Sequence, residues 1–361
     1  MRRTVRSRIL AGAFVPMLVV GLAACGGGSD GSSSSSSASG GGQASGEPGP
    51  ISVEGSSTVL PITQAAAELF SEQDPDAEIS VGGAGTSDGF EAFCQGDTEI
   101  SDASRPIDAA EEIPICEENG VEFIELQIAY DGISVVVNKD NSFATDVTSE
   151  ELKTLWEPAA ENEITQWSQV RSSWPDQEIT LYGPGTESGT YEFFNEAIVG
   201  NEEEVSRQSD VEMSEDDNVL VQGVTGDQNA LGYFGYSYYE SNRDALTALE
   251  VDGVAPTEDS IRSGDYVLSR PLFIYVSTTA LEENSTVQEF VDFYLAEENL
   301  NKIVEAAGYV TLPDDVATET RSRYEDRTTG SAFAEGGGME GSMMMEDSMM
   351  MEESMMMEDT Q

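Results

Sequence analysis

The chain contains no histidine, and its only lysines among 361 residues are Lys139, Lys153 and Lys302. Without imidazole, the Ser-His-Asp and Cys-His nucleophile arrangements and the usual zinc ligand sets are excluded, so hydrolase readings lose most of their chemistry. Positive charge is scarce as a whole: 16 Lys and Arg stand against 69 Asp and Glu, a formal net charge of -53. Four of the basic residues, Arg2, Arg3, Arg6 and Arg8, are spent near the N-terminus, so the remaining body is more acidic still. Such a surface does not suit nucleic acid as a partner. It also repels small anions at low salt, whereas a Debye length of about 3 Å at 1 M salt removes that repulsion. So many carboxylates with so little lysine predict a protein built for strong brine.

Long apolar runs are equally rare. The one near the N-terminus, Ile9 to Val20, is too short for a comfortable membrane span and follows an arginine-rich start. Residues 1–24 therefore read as a signal peptide. The segment Leu22-Ala23-Ala24-Cys25 followed by Gly26 resembles a bacterial-type lipobox, which implies lipidation of Cys25 and export to the outer face of the membrane. Residues 25–50 are a Gly/Ser tether with six consecutive serines, Ser32 to Ser37, unable to bury a core. At the other end, residues 328–361 are low in complexity: Ser342, Ser348 and Ser354 each open a Ser-Met-Met-Met-Glu hexad ending in Asp or Glu. This reads as a disordered acidic tail, with soft-metal capture by thioethers as the alternative.

What the middle of the chain does have is one device, repeated. Leu181–Phe194 reads as strand end, Gly/Ser/Thr turn and helix start. That geometry gathers unpaired backbone N–H groups and hydroxyls at one point and holds an oxyanion, because first-turn donors lack intrahelical partners and the dipole favours negative charge. The same pattern recurs at Ser56–Thr58 after the strand opening at Ile51, and at Gly82–Ser87 after Glu78–Val81. A third strand, Glu99–Ala103, ends in Ser104-Arg105-Pro106. Ser and Thr at these places also serve as ordinary helix caps. Arg105 is the only basic residue between Arg8 and Lys139, and its planar fork suits a tetrahedral oxyanion. Asp131 interrupts the apolar segments of Val121–Asn138, where a lone buried charge is costly, so it is expected to be partnered or functional. Cys94 and Cys116 read as a disulfide outside the cytoplasm, or otherwise as two reduced core thiols.

Three stretches together, GSSTVLPITQAAAELF, GGAGTSDGFEAFCQGDTEISDASRPI and LYGPGTESGTYEFF, are similar to the substrate-binding lipoproteins of phosphate ABC importers, the PstS type. IAYDGISVVVN and SRPLFIYV resemble the hinge-crossing strands of that family. The resemblance implies an α/β, two-lobed type-II periplasmic-binding-protein fold. Lobe I would be residues 51–138 plus 266–327 and lobe II residues 139–265. It implies inorganic phosphate as ligand, held by Ser57, Thr58, Thr86, Ser104, Arg105, Ser188, Gly189 and Thr190. A carboxylate accepting the ligand's proton would be Asp131 first and Asp102 second, since such an acceptor repels a fully deprotonated oxyanion. This chain departs from many relatives by placing Ser104 where they carry aspartate and Gly183-Pro184 where they carry arginine. The expected protein is a lipid-anchored, monomeric binding protein that delivers phosphate to a membrane permease, with no catalytic residues, metal or cofactor. The alternatives are a binder of sulfate or molybdate, and a phosphatase-like enzyme.

Overall fold

The computed structural model describes residues 46–186, 188–200 and 206–333. The leader, Cys25, most of the tether and the Met-rich hexads lie outside the described residues. The strands are β1 (Ile51–Gly55), β2 (Ile79–Val81), β3 (Ile100–Ala103), β4 (Phe123–Asn138), β5 (Asp146–Val147), β6 (Thr180–Pro184), β7 (Val211–Ser214), β8 (Ala230–Gly235), β9 (Leu246–Ala248), β10 (Glu250–Val251) and β11 (Ser269–Ser277). Nine of them join in one sheet of order β2-β1-β3-β11-β4-β8-β6-β7, with β9 also on β4, while β5 and β10 pair separately.

β4 organises the molecule. All its 16 residues are buried, as expected for a strand covered on both faces. From Phe123 to Gly132 it pairs antiparallel with β11, and from Ile133 it pairs with β8 and then β9. On one side of this changeover β1, β2 and β3 run parallel. On the other, β6 runs parallel to β7 and β8. The result is a two-lobed, mixed α/β fold of the periplasmic-binding-protein kind, with β4 and β11 crossing between the halves. Two strand segments separated by Asp131-Gly132 were expected; the structure has one continuous strand. The reason is local: Asp131 stands opposite Arg270 on β11, so its charge is answered within the ladder.

Helices cover both faces of the sheet. Leu60–Ser71 begins with Pro61 in its first turn, where the missing N–H costs nothing. Its buried Ile62, Ala66 and Phe70 share one face at helical spacing. Phe70 meets Phe290 edge-on at 5.5 Å between ring centres. Helix Ser149–Trp156 opens with a Thr148/Glu151 capping box. β8 runs directly into helix Tyr236–Asn242, and the first helix after Pro106 is Ile113–Asn119.

A smaller core of Phe90, Phe93, Phe123, Phe273 and Tyr275 packs helix Thr86–Gln95 against β3, β11 and the start of β4. Cys94 and Cys116 form a disulfide there, joining helices Thr86–Gln95 and Ile113–Asn119. The same core fastens residues expected to belong to the free tail. Buried Glu125 accepts from the Tyr275 hydroxyl, the Ser331 hydroxyl and the Ala332 N–H. Phe333 lies 5.2 Å from the Phe273 ring. The 328–361 boundary is therefore corrected at its start: residues 328–333 dock, because a buried carboxylate needs their donors.

The disulfide closes a separation of 22 residues, which in chain-entropy terms contributes about 3 kcal/mol. Replacing both cysteines with serine should lower the melting temperature by roughly 5–10 °C, and an unchanged thermal scan would contradict that contribution.

Candidate functional site

The hydroxyl-bearing turns sit at the carboxyl ends of parallel strands, where open α/β sheets place their ligands. Ser56–Thr58 follows β1, Thr86 opens the helix after β2, Ser104 follows β3, and Ser188 caps the helix after β6. Gly55 turns the chain out of β1 at φ 145°, a region open to glycine, and a Cβ there would lie 2.0 Å from the Asp102 carbonyl oxygen. Ser56 accepts from the N–H groups of Thr58 (3.2 Å) and Val59 (3.4 Å), and Ser188 caps its helix by accepting from Thr190 N–H at 3.2 Å. A hydroxyl that accepts in this way still has its own proton to donate. Thr86 and Ser104 hydroxyls lie 3.0 Å apart, joining the turns after β2 and β3. Helix Gly189–Phe194 runs on without a break into a π-helical turn, Asn195–Val199.

The first and last of these turns touch. A Cβ on Gly189 would lie 2.3 Å from Thr58 Oγ1 and 2.7 Å from Thr58 Cα, so only glycine permits the approach. Ser57 donates to Glu192 Oε2 at 2.8 Å across the same gap. At the junction stands a residue that the sequence reading did not single out, Arg270 on β11. Its Nη2 donates to Thr58 Oγ1 at 2.8 Å and reaches the Gly189 carbonyl oxygen at 3.4 Å. Its Nε lies 3.4 Å from Asp131 Oδ2, and its guanidinium stacks 4.0 Å from the centre of the Phe193 ring. The side chain is only 11% exposed. A signal for it existed: like Asp131, it is a charge inside an otherwise apolar hinge strand.

The positive charge of the site was expected on Arg105. That guanidinium holds Glu112 in a two-pronged pair, 2.9 Å and 2.7 Å, and its Nη2 also donates to Ser87 Oγ at 2.9 Å. The structure thus brings Thr58 and Gly189 onto Arg270, joins Ser57 of the first turn to Glu192 of the helix that Ser188 caps, sets Thr86 and Ser104 beside one another, and ties Arg105 to Glu112 and Ser87. Of the two carboxylates considered as proton acceptors, Asp131 is 2% exposed and orients Arg270. Burial pushes its pKa upward, and Arg270 opposes the shift without cancelling it. Asp102 is fully buried; its backbone carbonyl accepts from Ser56 N–H at 2.8 Å beside the first turn, while its carboxylate accepts from Thr63 Oγ1 at 2.9 Å. Among the described residues there is no cluster of three or more carboxylates and cysteines placed to hold a metal ion, and no helix long and apolar enough to cross a membrane.

Comparison with known proteins adds four findings. A family model described as a PBP superfamily domain matches residues 33–298. Protein SphX of Synechocystis sp. is 44% identical over 288 residues, 78% of this chain and 84% of that one. The phosphate-binding protein PstS of Staphylococcus haemolyticus is 40% identical over 266 residues, 72% of this chain and 80% of its own. In structure, a possible phosphate binding protein from Planctomyces limnophilus superposes with a TM-score of 0.72 at 38% identity, covering 78% of this chain and 99% of that one.

Burial, with Glu54 nearby and only partly offset by Thr63, pushes the Asp102 carboxyl up to about 8. An acid raised this far folds protonated, while the unfolded chain ionises near its ordinary value of about 4. Its stabilising share is complete below that value and is lost as pH rises toward 8, at roughly 1 kcal/mol per pH unit. Asp102→Asn should therefore gain stability relative to the parent between pH 5 and pH 8 in urea titrations; a constant difference would show that Asp102 does not fold neutral.

Proposed function

The chain belongs to the PBP superfamily beside the SphX and PstS proteins, and from that premise we propose that it binds inorganic phosphate and passes it to an ABC importer. The Staphylococcus haemolyticus relative is named a phosphate-binding protein, and the Planctomyces limnophilus neighbour a possible one. One observation carries the reading. A single guanidinium, Arg270, donates to Thr58 Oγ1 in the β1 turn and reaches the Gly189 carbonyl oxygen in the β6 turn, so the turns of both lobes meet at one positive charge. Thr58, Ser57 and Arg270 then offer donors from one side, Ser188, Gly189 and Thr190 from the other, with Thr86 and Ser104 beside them. A tetrahedral oxyanion matches such a converging set of neutral donors plus one planar cation. Asp131 serves here by aiming Arg270, and Arg105 borders the site while shared with Glu112.

Around this centre the remaining parts follow. Lobe I comprises residues 51–138 plus 266–327 and lobe II residues 139–265, with the hinge where β4 changes partners. Residues 1–24 direct export, Cys25 carries the lipid, and residues 25–50 hold the monomer on a leash outside the membrane, within reach of a permease. The basis is the Leu22-Ala23-Ala24-Cys25 segment and the serine-rich tether. The net charge of -53 points to a saline habitat, where distant carboxylates are screened and contact dipoles are not.

Calorimetric titration in 1 M KCl tests the reading. Phosphate should bind, sulfate and molybdate should bind far more weakly, and Arg270→Ala should weaken phosphate by about 100-fold or more, as loss of a charged donor to a desolvated anion does. Arg270→Lys should recover only part. Equal binding of sulfate would move the assignment to another oxyanion, and full affinity in Arg270→Ala would remove Arg270 from the site.

A further inference from the structure

The donors proposed to hold the ligand are not idle. Ser57 spends its proton on Glu192 Oε2 at 2.8 Å. Arg270 Nη1 lies 3.5 Å from Glu196 Oε2. Glu192 and Glu196 are four apart, so they share one face of the helical run 189–199, the face turned to β1 and β11. Both are exposed residues of the second lobe, and both contact groups outside it. Chemically each is an oxyanion on a tether, and each sits on a group meant for an oxyanion. A hydroxyl has a single proton, so Ser57 serves either Glu192 or a ligand.

We infer that Glu192 and Glu196 are built-in competitors: they latch the lobes together by taking the place of the ligand on Ser57 and Arg270, and so set the affinity and its salt dependence. This rests on the phosphate reading of the site for its ligand, though not for the latch. Latched molecules cannot present Ser57, so apparent affinity falls in proportion to the unlatched fraction. Exposed carboxylate contacts are individually weak, shifting an equilibrium by about two- to five-fold, and salt screens them. The device thus makes phosphate binding strengthen as salt rises, opposite to a site lined by free cations.

The test compares the full-length protein with Glu192→Gln/Glu196→Gln, and with Glu319→Gln, an exposed glutamate on helix Asp314–Glu325, as control for lost negative charge. In 0.1 M KCl the double variant should bind phosphate about two- to five-fold more tightly than the parent, and the difference should vanish near 2 M KCl. Without phosphate, its radius of gyration by small-angle X-ray scattering should exceed that of the parent. Unchanged or weaker binding in the double variant overturns the competition, as does an equal gain in Glu319→Gln. Should the parent fail to bind phosphate at all, the functional reading falls, and the scattering alone decides the latch: expansion upholds it and an unchanged radius rejects it.

Discussion

The contact on which the rest of the structure depends is that of Arg270 with Thr58 and Gly189. Arg270 comes from a hinge strand, Thr58 from the first lobe and Gly189 from the second, so one side chain registers the three parts against each other. Arginine suits the task because its five donors lie in a fixed plane and can serve several partners at once. Asp131, opposite it in the β4–β11 ladder, fixes the direction of that plane, and the Phe193 ring supplies a polarisable face on the lobe II side. Gly189 completes the arrangement by having no side chain to hold Thr58 away. Burial makes each of these contacts stronger than its exposed equivalent, since the guanidinium is largely shielded from water.

That arrangement also answers how so acidic a chain can hold an anion. The charge of -53 acts over distance and yields to salt. Hydroxyls, backbone N–H groups and one oriented guanidinium act at contact, where screening is ineffective. The nearest carboxylates are committed to specific cations or donors: Asp131 to Arg270, Glu112 to Arg105, Glu192 to Ser57. The local balance is therefore set by pairs, and the global field sets only how readily an anion approaches.

Much of this was legible in the residues. The alternation of apolar strand, small-residue turn and helix located β1, β3, β6 and the turns after them, since that signal is local and periodic. The disulfide followed from two cysteines in a chain expected to be exported. Less legible was whatever depends on register between distant strands. Asp131 was recognised as a charge needing a partner, yet its partner lies 139 residues further on, opposite it only because β11 pairs antiparallel with β4. For the same reason Arg105, conspicuous by its isolation in sequence, drew the expectation of the cleft cation, while Arg270 was hidden in an apolar strand. Glu125 holding residues 331 and 332 is another long-range pairing that composition alone assigned to a free tail.

The most direct measurement is a crystal structure of the protein grown with phosphate. The account predicts the ion between the Ser57–Thr58 and Ser188–Thr190 turns, with oxygens within hydrogen-bond distance of Arg270 and with Glu192 released from Ser57. An ion seated instead on Arg105 and Ser87, with Arg270 still on Thr58 and Ser57 still on Glu192, would contradict it.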